Sequence, residues 1–285
     1  MRIDAHQHFW KIVRGDYFWM GPHVAPICRD FLPDDLAPLL AQHGFEGSVV
    51  VQAASTVAET EFLLGLTDRN PSVLGVVGWL DLEADTFEGA LATLSQHPRL
   101  VGVRPMLQDL EDDAWILRPR VTDALRRLAE RELALDFLVL TRHLPHVCRV
   151  LEQVKGLRSV IDHCAKPDLR GKDLSEWRAR LAEVASHPDV FCKISGLATE
   201  ADPVKWRASD LAPAIEHALS VFGEDRVVFG SDWPVCTLAG SYERIVAALL
   251  EVLGGRLTPS FEAKLFGDNA ERLYRLPRVE VHAVA

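Results

Sequence analysis

Short apolar runs of strand length recur along the chain and alternate with longer stretches of helical period. The runs predicted as strands are 3–8, 48–53, 73–80, 100–106, 134–140, 159–163, 190–195 and 226–231. Helical patterns cover 34–43, 58–70, 86–96, 120–131, 144–154, 174–186 and 211–222, with 242–253 and 259–266 after the last strand. Punctuation agrees: Pro33 opens one helix, Gly44 closes it, and Asn70-Pro71 separates a helix from the next strand. Some runs are apolar at nearly every position, such as Val49-Val50-Val51 and Val227-Val228-Phe229, as strands buried on both faces should be. Eight such strands in 285 residues predict a single (β/α)8 TIM barrel over residues 1–285. A doubly wound open sheet is the alternative, but the chain carries neither GxGxxG after its first strand nor GxxxxGK[ST] anywhere. The long irregular stretch 9–31, with Trp10, Tyr17, Phe18 and Trp19, reads as an aromatic loop after strand one that covers the barrel mouth.

The charge balance changes the list of partners. With 31 Lys+Arg against 41 Asp+Glu the net charge is −10, and no basic run is present, which argues against nucleic acid or an anionic membrane surface. No apolar stretch approaches the roughly 20 residues that cross a bilayer, and the N-terminus lacks the apolar core of a secretion signal. Five cysteines without a CxxC pair fit free thiols, so a cytoplasmic location is expected. Nothing in the pattern encodes an oligomeric state, and a small molecule is the expected partner.

In a barrel, chemistry collects at the C-terminal ends of the strands. Those positions hold His6 and His8 on strand one, Gln52 on two, Arg104 on four and Asp162-His163 on six. Strand seven carries Lys193 and Ser195, strand eight ends in Ser231-Asp232-Trp233, and strand five ends in the apolar Leu138-Val139-Leu140. Alternation places Asp4, His6 and His8 on one face, so two imidazoles converge if that face is the lumen. Asp232 follows a buried strand, where a carboxylate needs a partner or a task. Lys193 is either catalytic or paired with Asp4 or Asp162. Trp19 and Tyr17 in the loop are candidates for substrate contact or for packing.

The blocks IDAHQHFW, VIDHCAKP, VFCKISGL, RVVFGSDWP and GDNAERLYRL, in this order from about Arg2 to Leu276, resemble the amidohydrolase-2 branch of the amidohydrolase superfamily. Within it the chain is most similar to the sugar-lactone and pyrone-dicarboxylate lactonase group. The resemblance implies a barrel whose lumen holds His6, His8 and Asp232, which in many members bind a divalent metal. It also implies help from a strand-four Lys or Glu and a strand-five His, and this chain has none of these at those strand ends. A two-metal site is therefore not expected. The lactonase group implies no strictly required cofactor, with one zinc or manganese ion on His6, His8 and Asp232 as the option.

Lactone hydrolysis needs an activated water, a polarised carbonyl and a proton for the leaving alkoxide. Asp232 is the expected base. His6, His8 and His163 are the expected carbonyl polarisers, and Gln52, Arg104, Lys193, Trp19, Tyr17 and Trp233 the expected substrate contacts. The favoured substrate is a sugar-acid lactone such as an L-fucono-, L-rhamnono- or L-galactono-lactone. The alternatives are a lactone of an aromatic-derived dicarboxylate, which would need more basic residues at strand ends, and a metal-dependent decarboxylase.

Overall fold

The structure, a computed structural model, describes residues 1–171 and 173–276; positions 277–285 of the expected domain lie outside the described residues. Eight strands, β1 (Ile3–Gln7), β2 (Gly47–Val51), β3 (Val73–Gly78), β4 (Leu100–Val103), β5 (Ala134–Phe137), β6 (Ser159–Ile161), β7 (Val190–Ile194) and β8 (Val227–Phe229), pair in parallel in chain order. The ring closes just beyond β8, where the His8 amide donates to the Trp233 carbonyl (2.7 Å) and the Asp232 amide to the His6 carbonyl (2.8 Å). The chain is a (β/α)8 barrel.

Alternation along each strand separates two apolar cores. Ile3, Ala5, Val49, Val51, Val77, Val101, Val160 and Val228 fill the barrel interior, closed from below by Leu273, Tyr274 and Leu276. Val50, Val76, Leu135, Ile161, Cys192 and Phe229 face the helices instead. This is why those strands read as unbroken apolar runs.

The outer helices are α1 (Pro33–Gln42), α2 (Val57–Thr67), α3 (Phe87–Leu94), α4 (Pro119–Glu130), α5 (Leu144–Gln153) and α6 (Ser175–Ala185). The short α7 (Leu197–Glu200) follows β7, and then come α8 (Ala208–Phe222), α9 (Tyr242–Leu253), α10 (Pro259–Ala263) and α11 (Asn269–Tyr274). In α4, Pro119 starts the helix, and Val121, Ala124, Leu125 and Leu128 form the buried stripe. The pattern predicted at 159–163 as strand ends earlier, because His163, Cys164, Ala165 and Lys166 all take left-handed backbone angles.

One strand departs from simple alternation. The β1–β2 register shifts between Asp4 and Gln7, and such an irregularity re-aims side chains. Asp4 consequently does not share the face of His6 and His8. It lies against the helix layer, accepting from the Ser231 amide (2.9 Å) and the Tyr242 hydroxyl (3.1 Å).

The loop between β1 and α1 is pinned at its base by paired Trp10–Phe31 backbone bonds of 2.9 and 3.0 Å. Its Trp19 indole donates to the Ala53 carbonyl at the end of β2 (2.7 Å). That bond brings the loop over the barrel mouth.

Candidate active site

The strand ends bring four groups of the sequence reading together. The ring centroids of His6 and His8 lie 5.0 Å apart, and those of His6 and His163 4.6 Å apart. His8 Nε2 and His6 Nε2 approach Asp232 Oδ1 to 3.3 and 3.7 Å. The left-handed turn after β6 aims His163 inward, where its Nδ1 meets Ser195 Oγ at 2.8 Å. Gly196 is required beside it: at its φ of +61°, an added Cβ would lie 2.5 Å from His163 Nδ1 and 3.1 Å from Asp232 Oδ2.

Burial sets the charge states. It pushes His6 well below the usual imidazole range, reinforced by Lys193, and takes His163 down to about 4. Burial would raise the Asp232 carboxyl, but His163 and the His8 hydrogen bond outweigh it and lower it below the ordinary carboxylate range. The centre at neutral pH is therefore an ionised carboxylate facing imidazoles, two of them neutral.

A compact ionic cluster lies directly beneath. Lys193 pairs with Asp136 and with Asp162 Oδ1 (2.9 Å), while Arg104 pairs with Asp162 Oδ2 (3.2 Å). The Tyr274 hydroxyl, rising from the barrel floor, donates to Asp136 at 2.8 Å. Two cations and two carboxylates balance, as buried charges must. Lys193 pairs with Asp162 as one reading anticipated, and with Asp136 in place of Asp4.

Above the imidazoles opens a cavity of about 170 Å³ that His8, His163, Asp232, Arg104 and Trp19 help to line, with His6 fully buried beneath it. Four other expected contacts do not line it. Lys193 is fully buried below; Gln52 lies behind the wall, donating to the Arg104 carbonyl (2.8 Å). Tyr17 packs behind Trp10, and Trp233 packs against Phe9 and Phe31. The cavity instead gains Gln108, Asp109, Lys166, Thr199 and Glu200, with Lys166 Nζ 3.9 Å from Glu200. Thr199 and Glu200 sit on α7 and the others on the connections after β4 and β6, without a strand pattern to mark them. Asp136 carried a readable signal, a carboxylate on the face of β5 opposite Leu135 and Phe137.

Glu59 on α2 is a further buried group, taking the amides of Ala53 (3.0 Å) and Ala54 (2.6 Å) and so bracing the loop that holds Trp19. Burial raises its carboxyl from 4.5 to about 8 against those hydrogen bonds. Between these values the folded chain binds the extra proton, so this group's contribution to stability falls as pH rises from 4.5 toward 8, by roughly 1 kcal/mol per pH unit. Glu59→Gln should flatten that slope in urea unfolding midpoints measured at pH 5.5 and 7.5; an unchanged slope would reject the assignment.

The model of the amidohydrolase family matches residues 3–276. The chain belongs to the amidohydrolase family. This amidohydrolase is 41% identical to an L-fucono-1,5-lactonase of Burkholderia ambifaria, over 97% of this chain and 96% of the relative. An amidohydrolase from Burkholderia multivorans, crystallised with bound zinc, superposes with a TM-score of 0.92 at 38% identity, covering 97% of this chain and all of that one. The 5-carboxyvanillate decarboxylase of Sphingomonas paucimobilis shares the fold alone, with a TM-score of 0.66 at 11% identity over 97% of this chain and 99% of that one. Among the described residues no helix is long and apolar enough to cross a membrane.

Proposed function

We propose that this amidohydrolase opens the ring of a neutral sugar-acid lactone of the L-fucono-, L-rhamnono- or L-galactono-lactone kind to the aldonic acid. The charge balance of the cavity carries this reading. Arg104 is committed to Asp162 and Lys166 faces Glu200, while Asp109 and Asp232 add negative charge. No surplus of positive charge is left for a dicarboxylate. Gln108, Thr199 and the paired charges suit hydroxyl groups, and the Trp19 indole suits the apolar face of a sugar ring. The likeness to an L-fucono-1,5-lactonase over nearly the whole chain supports the same class.

Asp232 acts as base. It takes a proton from water as the water oxygen attacks the lactone carbonyl, and returns it to the ring oxygen as the acyl C–O bond breaks. His163 hydrogen-bonds the substrate oxygen, and the cluster of Lys193, Asp136, Asp162 and Arg104 holds His6 in place beneath the cavity.

The residues also fit one divalent ion on His8, Asp232 and His6, whose ligand atoms lie within 4.8 Å of one another. His8 Nδ1 donates to the Val51 carbonyl at 2.7 Å, which leaves Nε2, 3.3 Å from Asp232 Oδ1, as the nitrogen that faces the site. Either a proton or a metal ion between His8 Nε2 and Asp232 Oδ1 joins the two. A bound zinc or manganese ion would polarise the carbonyl and acidify water.

The test is a pH-indicator assay over a panel of aldonolactones and a pyrone dicarboxylate, with and without chelator. Turnover of aldonolactones supports the reading, and turnover of the dicarboxylate alone rejects it. Trp19→Ala should raise KM by roughly 10-fold, about 1.4 kcal/mol of lost contact, with little change in kcat; an unchanged KM would remove Trp19 from the substrate wall. We also place the enzyme in a reducing cytoplasm, which five cysteines without a CxxC pair support.

A further inference from the structure

The two histidines of strand one look equivalent in sequence and differ in what stands behind them. Behind His8 is a backbone carbonyl, which can only accept, so its Nδ1 bears a proton and its Nε2 is the nitrogen that faces Asp232 and the site. Behind His6 is the Lys193 ammonium, with Nζ 3.1 Å from His6 Nδ1. An ammonium has three N–H groups and no lone pair. Lys193 also touches two carboxylates, Asp136 and Asp162. The competing partner for His6 Nδ1 is Asp162 Oδ1, at 3.5 Å. A proton on Nδ1 would exchange the shorter contact for the longer one and point N–H at N–H. The side chain of His6 is fully buried, and its Nε2 faces the site without a hydrogen-bond partner.

We infer that Lys193 fixes His6 in the Nε2–H tautomer, directing that N–H at Asp232 Oδ1, 3.7 Å away, while His8 and Asp232 are the ready pair for a cation. Lys193 is thus a positioning residue that acts through the proton on His6. For His6 to ligate a metal through Nε2, that proton must leave, and the Lys193 contact opposes its move to Nδ1. A metal-binding histidine ordinarily donates its second N–H to a carboxylate or carbonyl, and changing such a partner alters metal affinity by roughly 10–100-fold. Here the partner is of the opposite kind, so the third ligand of the site is weakened by design of the barrel interior. The inference rests on the placement of the site proposed above, and its test does not depend on which lactone is cleaved.

Lys193→Gln places an amide behind His6 whose oxygen can accept a proton from Nδ1. Two measurements follow, neither of them an activity. The first is long-range ¹H–¹⁵N NMR of the metal-free wild-type chain, ring-labelled at histidine and assigned with His6→Asn. It should show His6 protonated at Nε2 and His8 at Nδ1; a His6 protonated at Nδ1 overturns the inference. The second is competition for zinc against a chromophoric chelator, where folded Lys193→Gln should bind about 10-fold tighter than wild type. Equal or weaker binding by the folded variant also overturns it. If Lys193→Gln does not fold, the wild-type spectrum decides alone.

Discussion

Replacing Asp232 by asparagine is expected to lower kcat by roughly 10²- to 10⁴-fold, the usual worth of a positioned base. The amide keeps the shape and one acceptor oxygen but cannot take the proton from water. The fold should survive, because the backbone of residue 232 is held by its own amide bond to the His6 carbonyl at 2.8 Å. Its side chain contacts imidazoles that are themselves anchored elsewhere: His8 on Val51 and His163 on Ser195. Stopped-time hydrolysis with matched circular dichroism checks both halves. A variant with near-wild-type kcat would remove Asp232 from the role of base.

The second large effect is expected far from any substrate. Asp136→Ala takes one carboxylate from the four-charge cluster and leaves the Tyr274 hydroxyl without its acceptor. What remains is an excess positive charge in a fully buried layer, since Asp136, Asp162 and Lys193 are all inaccessible. Breaking a buried pair by removing one partner costs about 3–5 kcal/mol. The urea unfolding midpoint should fall accordingly. Asp136→Asn should recover part of the loss, because the amide can still accept from Tyr274 and Lys193. If Asp136→Ala unfolds at the wild-type midpoint, the cluster does not hold the barrel interior together.

These two residues also show where a sequence can and cannot be read. Asp232 was legible because it ends a strand, and a barrel presents strand ends to the site. Asp136 sits one layer lower, inside β5, below the apolar strand end Leu138-Val139-Leu140 to which the barrel rule points. Its position was still recoverable from alternation, since Ala134 and Asp136 share the face opposite Leu135 and Phe137. Lys193 needs a partner, and polarity alone offers Asp4 as readily as Asp162, of which the structure pairs it with Asp162. The register shift between Asp4 and Gln7 sends Asp4 to the helix layer, and a local irregularity of that kind leaves no trace in polarity alone. Lys166 and Glu200 line the cavity from segments whose course depends on the left-handed turn at 163–166 and on the short helix after β7.

The sequence by itself determined the number of strands, their order, the imidazole pair and the carboxylate that follows the last strand. It did so because hydrophobic period and strand ends are local properties, fixed within a few residues of chain. The tertiary structure decided everything that depends on groups from different strands meeting in the lumen. It set the lysine behind one histidine and a carbonyl behind the other, joined Asp136 to Lys193 across the barrel, and swung Trp19 onto the end of β2. Such pairings join residues dozens to hundreds of positions apart. Their charge states follow from burial and from a neighbour's hydrogen-bonding chemistry, which exist only once the barrel has closed.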